Sequence, residues 1–139
     1  AMMFNDPEVA FQVMRTLLVA RNPLYIQQYI EKPNRDIRVI VVDGRPIGCM
    51  YRVSNSWKTN IAQGAVGVPC KLDAELEDIA VKATKTLGLI YSGVDIGEGR
   101  EGYVVFEVNA SPDWRGFKQA TGINPAVYLA DYIERVVKQ

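Results

Sequence analysis

Three oxygen-bearing side chains near the middle of the second half of the chain could do chemistry together. They are Asp95, Glu107 and Asn109, within the stretch Ser92 to Pro112. That stretch reads as two strands around a glycine-rich turn, Gly97-Glu98-Gly99-Arg100-Glu101-Gly102. Glu107 and Asn109 are two apart on the second strand and so share a face. Val104, Phe106 and Val108 are expected on the opposite, buried face. A turn closing symmetrically near Glu101 would set Asp95 directly across from Glu107. Like charges so placed destabilise a strand pair, and a hard cation between them removes the conflict. Two carboxylates and an amide oxygen suit Mg²⁺ (or Mn²⁺), with water and phosphate oxygens completing the shell. The plainer alternative is an acidic hairpin face turned to solvent.

The elements that must position this set follow in chain order. Asp6 and Pro7 open a helix as cap and first helical residue, with Ala10, Val13, Met14, Leu17 and Leu18 recurring at helical spacing to about Ala20. Leu24 to Ile30, LYIQQYI, is expected to be a strand. A hairpin follows: strand Ile37 to Val42, turn Asp43-Gly44, strand Pro46 to Arg52. Asp36 and Arg38 share a face, and an ion pair between them is the simple account. Val53 to Gly67 is a long loop without periodicity, and loops of that length are usually functional or mobile. Asp73 caps a packing helix with Leu76, Ile79, Ala80, Ala83 and Leu87 on one face and Gly88 just past its end. After the acidic hairpin, Asp113 to Thr121 forms a loop or short helix. Asn124-Pro125 then opens the last helix, with Val127, Ala130, Ile133, Val136 and Val137 expected on its buried side.

Composition narrows the chemistry. The chain has 139 residues, one domain's worth, and 16 basic residues balance 16 acidic ones. Net charge therefore gives no reason to expect nucleic acid or a membrane as a direct partner. There is no histidine, which excludes a histidine general base and a Ser-His-Asp triad. Chemistry must run on carboxylates, lysine, arginine and a bound ion. Cys49 and Cys70 are too few for a disulfide framework and read as reduced thiols of a cytoplasmic protein. Ala1-Met2-Met3-Phe4 reads as a remnant before an internal start, so residues 1–139 are expected to be a single domain belonging to a longer protein. Strand runs with segregated helices indicate an α+β fold.

The run Glu107-Val108-Asn109-Ala110-Ser111-Pro112, with Val94-Asp95-Ile96 on the preceding strand, resembles the C-terminal lobe of ATP-grasp ligases, and within them the RimK-like glutamate ligases. The resemblance covers nearly all of Leu24 to Gln139. Asp36-Ile37-Arg38 and Lys58-Thr59-Asn60 match it as well. The chain departs from dipeptide ligases, which carry arginine where Gly93 stands, and from relatives with glutamate at Gln28.

The resemblance implies ATP and Mg²⁺ as cofactors and an α+β lobe with an antiparallel sheet flanked by helices. It implies backbone contacts from Gln28 and Tyr29 to adenine, Asp36 near the ribose, Lys58 and Asn60 on phosphate or nucleotide, and Arg52 close to the reacting centre. Asp95, Glu107 and Asn109 are the metal ligands it implies. The implied reaction joins L-glutamate to an acceptor carboxylate through an acyl phosphate, the acceptor being a pterin-type coenzyme or a protein C-terminus. Tyr51 to Asn60 with Asp113-Trp114 looks most like the tetrahydromethanopterin type. The alternatives are a non-catalytic nucleotide- and Mg²⁺-binding module and a purely structural interaction domain. Self-association into a homo-oligomer stays open.

Overall fold

The computed structural model describes residues 2–59 and 64–138. It falls into two compact units, residues 1–30 and 31–139.

In the first unit, helix α1 spans Pro7–Val19. The Asp6 carboxylate accepts from the backbone N–H groups of Glu8 and Val9, and Pro7 occupies the first turn, where its missing N–H costs nothing. None of its residues is buried. The strand expected at Leu24 to Ile30 does not form. A strand exists only where a neighbour takes its backbone groups in a ladder, and this stretch is not part of the described five-stranded sheet. Alternation in LYIQQYI was a misleading signal, since Tyr25 and Ile26 both lie exposed.

The second unit is built on a five-stranded antiparallel sheet. Its strands are β1 (Arg35–Val42), β2 (Arg45–Val53), β3 (Val66–Pro69), β4 (Tyr91–Gly99) and β5 (Gly102–Asn109). Their spatial order is β3-β2-β1-β4-β5. Asp43 and Gly44, at φ 51° and 69°, close β1 onto β2 in a two-residue turn. Positive φ at both central positions matches the right-handed strand twist, which is why Asp-Gly serves here. β3 takes the ladder position beside β2 that no sequence signal had marked. The expected loop therefore ends before Val66, which pairs with Val53 at its base.

Alternation along the strands makes two different faces. Ile37, Val39, Val41, Cys49, Val94 and Ile96 form one, covered by Leu76 and Ala80 of α2 (Ala74–Thr86). Asp73 caps α2 by accepting from the Leu76 N–H at 2.8 Å. The Thr84 hydroxyl bonds the Ala80 carbonyl at 2.8 Å and meets the Ser92 hydroxyl at 2.7 Å, so this buried polar pair is satisfied. The other face carries Ile40, Val42 and Met50 beneath Phe117 of α3 (Arg115–Thr121). Further along that same face the apolar residues give way to Asp36, Arg38, Arg52 and Asp95.

Two expectations are corrected here. The last helix, α4 (Pro125–Val137), turns its expected buried side outward: Val127, Ile133, Val136 and Val137 are exposed, and so is Ala130. Pro125 and Leu129 face inward instead, Leu129 against the Phe117 cluster, so the helix packs through its first turns rather than through its valine and isoleucine stripe. Cys49 and Cys70 are joined as a disulfide rather than standing as thiols, with Cα atoms 5.7 Å apart. The pairing of β2 with β3 brings together positions 21 apart in sequence, a proximity that spacing alone does not reveal. Among the described residues, no helix is long and apolar enough to cross a membrane.

Candidate active site

The acidic hairpin forms with Asp95 opposite Glu107 and Gly93 opposite Asn109. The route to that register differs from the expected one. The turn is the two-residue Arg100-Glu101, closed by Gly99 opposite Gly102. Counted back without interruption, that turn would set Asp95 against Phe106. A bulge between Asp95 and Ile96 inserts one residue and brings Glu107 across instead. The bulge also breaks the expected Val104-Phe106-Val108 face. Val105, Val108 and Tyr103 pack against the α2 side of the sheet. The Phe106 ring lies over Gly97, which has no side chain to obstruct it.

Asp95 is not left to face Glu107 alone. Arg38 donates to it through Nε at 2.7 Å and Nη2 at 2.8 Å, one bond to each oxygen. Arg52 Nη2 reaches Asp95 Oδ2 at 2.9 Å. Arg52 also grips Asp36 with two bonds, Nε to Oδ1 at 2.6 Å and Nη2 to Oδ2 at 2.7 Å. The Thr59 hydroxyl donates to Asp36 Oδ2. The simple account of an Asp36–Arg38 ion pair therefore does not hold. Residues two apart on a strand are separated by about 6.5 Å of rise, whereas direct cross-strand neighbours approach within about 5.5 Å. Asp36 opposite Arg52 and Arg38 opposite Asp95 are both direct ladder pairs.

The result is a mutually neutralised cluster of two arginines and two aspartates. Its Asp36, Arg52 and Asp95 are buried, each at 4% exposure. Burial pushes the Arg52 guanidinium down, but the Asp36 hydrogen bonds and the charges of Asp95 and Asp36 outweigh it and hold Arg52 above its ordinary range. Lys32 lies beside the cluster and donates to the Arg35 carbonyl at 2.9 Å. Burial lowers its ammonium against the raising pull of Asp36.

The remaining expected residues divide. Glu107 is exposed and Asn109 half-buried. Register places both on the face of Asp95. Among the described residues no three carboxylates or thiolates cluster as a metal site, so the donor set is two carboxylates plus the Asn109 amide. All are oxygen donors, a set that fits a hard divalent cation. Lys58 is half-buried, with its ammonium 5.3 Å from the Trp57 ring centre. Asn60 lies outside the described residues. Gln28 and Tyr29 belong to the first unit, in the stretch that forms no strand.

Gly93 has a steric reason to be glycine. A Cβ there would sit 2.7 Å from Pro112 Cβ and 3.2 Å from its Cγ. The end of the Glu107–Pro112 run folds back over the strand at the position where dipeptide ligases carry arginine. Sequence reasoning missed Arg38 and Thr59 as members of the charged cluster. Asp36-Ile37-Arg38 does put two charges on one face, but their partners depend on strand order and register.

Residues 1–133 match the RimK-like ATP-grasp domain family. The chain is 35% identical to the tetrahydromethanopterin:alpha-L-glutamate ligase of Methanosarcina acetivorans, covering 96% of this chain and 47% of that protein. It is 39% identical to the alpha-aminoadipate–LysW ligase LysX of Sulfurisphaera tokodaii, covering 89% of this chain and 44% of that protein. The chain thus spans about half the length of the curated relatives it matches. Among solved structures, the D-alanine–D-alanine ligase of Bacillus anthracis complexed with ATP superposes with a TM-score of 0.67 at 19% identity, over 96% of this chain and 46% of that one. That likeness concerns the fold.

Proposed function

Because the chain belongs to the RimK-like ATP-grasp family, we propose that the protein carrying it is an ATP- and Mg²⁺-dependent ligase that joins the amine of L-glutamate to an acceptor carboxylate. Residues 1–139 supply its C-terminal ATP-grasp lobe, with nucleotide and metal contacts. The observation that carries this reading is the Asp95–Glu107 ladder pair with Asn109 two residues on, all on one sheet face.

In this reading the acceptor carboxylate attacks the γ-phosphorus of ATP, releasing ADP and giving an acyl phosphate. The glutamate amine then displaces phosphate and loses a proton as the amide forms. Asp95, Glu107 and Asn109 would hold Mg²⁺, which supplies charge neutralisation at the β- and γ-phosphates. Arg52 adds fixed positive charge close to the reacting centre, held in place by Asp36. Lys58 and Asn60 contact the nucleotide, Lys58 as a point charge for phosphate. Gln28 and Tyr29 offer backbone groups to adenine. Asp36, with both oxygens engaged, anchors Arg52 on the ribose side of the site. The acceptor is a pterin-type coenzyme or a protein C-terminus, and similarity to tetrahydromethanopterin ligases favours the former.

ADP release by the full-length protein, measured with a panel of amino acids and candidate acceptors, tests this. Glutamate should be the preferred amine, with aspartate poor because its shorter side chain misplaces the second carboxylate. Equal turnover with neutral and acidic amino acids would reject glutamate ligation while leaving ATP-grasp chemistry standing. A non-catalytic nucleotide-binding module is the second reading, favoured by the neutralisation of Asp95 within the protein. It predicts Mg²⁺-dependent ATP binding without ADP release for any amine.

A further inference from the structure

Asp95 is an awkward cation ligand as it stands. Its Oδ1 and Oδ2 each accept from Arg38, and Arg52 Nη2 lies 2.9 Å from Oδ2 as an ion pair. A hard divalent ion needs direct contact with a carboxylate oxygen, at about 2.0–2.1 Å for Mg²⁺. The Arg38 fork takes one lone pair of each oxygen, and the two guanidinium charges beside it repel an incoming cation, so the ion binds best when one arginine withdraws. The two arginines are not equivalent.

Arg52 is anchored by two short bonds to Asp36, and its side chain is 5% exposed. Arg38 has 13% side-chain exposure and, among the described residues, Asp95 as its one hydrogen-bonded partner. Displacing Arg52 would strand Asp36 as a buried, under-compensated carboxylate. Displacing Arg38 leaves every buried acid of the cluster with Arg52. The freed guanidinium would then be a planar cation on the metal face of the sheet, suited to bidentate contact with a phosphate oxygen pair.

We propose that Arg38 is a positioning residue of the cation site: it chelates Asp95 until a divalent cation displaces it, and then transfers to a nucleotide phosphate. This rests on the metal assignment made above and adds to it a mechanism of coupling. Cation alone must break the Arg38–Asp95 bonds without replacement. Cation with nucleotide exchanges them for Arg38–phosphate bonds. Each ligand therefore strengthens binding of the other, by the same factor in both directions.

The test is Mn²⁺ titration of the full-length protein, read by electron paramagnetic resonance, with and without a non-hydrolysable ATP analogue. In the wild type the analogue should tighten Mn²⁺ binding within the usual coupling range of about 5–150-fold. Arg38→Gln should bind Mn²⁺ alone more tightly than wild type, and the enhancement by analogue should be smaller than in wild type, what remains being coordination of the ion by the phosphates themselves. Arg38→Lys, which keeps the charge and loses the fork, should fall between. Melting curves of both variants establish that they are folded, and a purely structural arginine would shift melting without changing the coupling ratio. Weaker Mn²⁺ binding by Arg38→Gln without nucleotide, or an unchanged ratio, overturns the proposal. Asp95→Asn is the control. If it leaves Mn²⁺ binding intact, the metal assignment fails and the role of Arg38 fails with it. If it weakens binding while Arg38→Gln behaves as wild type, only the role of Arg38 is rejected.

Discussion

Arg52 and Asp36 face each other across the first two strands, joined by two hydrogen bonds of 2.6 and 2.7 Å in a nearly solvent-free setting. Such a pair repays its desolvation only while both members are present. Arg52→Ala should therefore destabilise the fold by about 3–5 kcal/mol, because Asp36 is left buried without its main partner. Denaturant unfolding measures this directly. Where the variant remains folded, kcat and kcat/KM should fall together with ATP affinity little changed. Loss of ATP affinity with turnover intact would remove Arg52 from the reacting centre.

The two acids of the hairpin should behave alike toward metal and differently toward stability. Asp95→Asn and Glu107→Gln should each weaken Mg²⁺·ATP binding strongly, as calorimetry would show. Relief of carboxylate repulsion would by itself make both variants more stable. The structure reverses that expectation for Asp95, since the change removes the anion on which Arg38 and Arg52 converge. Asp95→Asn should cost about 3–5 kcal/mol. Glu107→Gln, at an exposed position, should stay within about 0.5 kcal/mol of wild type. Equal stability changes in the two variants would contradict the cluster described above.

Gly93→Ala should be costly although it adds a single methyl group. The new Cβ meets the ring of Pro112, a neighbour that cannot swing aside as a long side chain can. Overpacking of this kind costs about 1–3 kcal/mol. Pairing it with Pro112→Ala should recover much of the loss in thermal melts, and a double variant no better than the single would show that the contact is not the cause.

Alkaline pH should destabilise the fold through Tyr103. Burial, with a hydrogen bond to Asp73 at 2.9 Å, pushes its phenol up to about 12. The unfolded chain releases that proton near pH 10 while the folded one retains it. The unfolded state then binds fewer protons, so stability is fully present below about pH 10 and is lost as pH rises through the folded value. Tyr103→Phe should flatten the decline in melting temperature above pH 10, whereas an identical slope in both proteins would exclude Tyr103 as its source.

What the sequence determined by itself was whatever depends on near neighbours. Asp6-Pro7, Asp73 and Asn124-Pro125 cap their helices because capping is a matter of a few adjacent residues. Asp43-Gly44 closes its hairpin because turn geometry is set by two φ angles. The motif Glu107-Val108-Asn109 marked the candidate site, since alternation puts the first and last on one face. Tertiary structure decided everything that depends on which strand lies beside which. Leu24 to Ile30 has strand-like alternation yet joins no ladder of the described sheet, while Val66–Pro69 has little signal and is paired by β2. Asp95 meets Glu107 through a bulge that no local pattern announces. Asp36 and Arg38, adjacent on one face, are parted by the better geometry of Arg52 and Asp95 across the ladder. Short-range steric preferences are carried by a few residues of chain, but an ion pair goes to whichever opposite charge the finished sheet brings within about 3 Å of it.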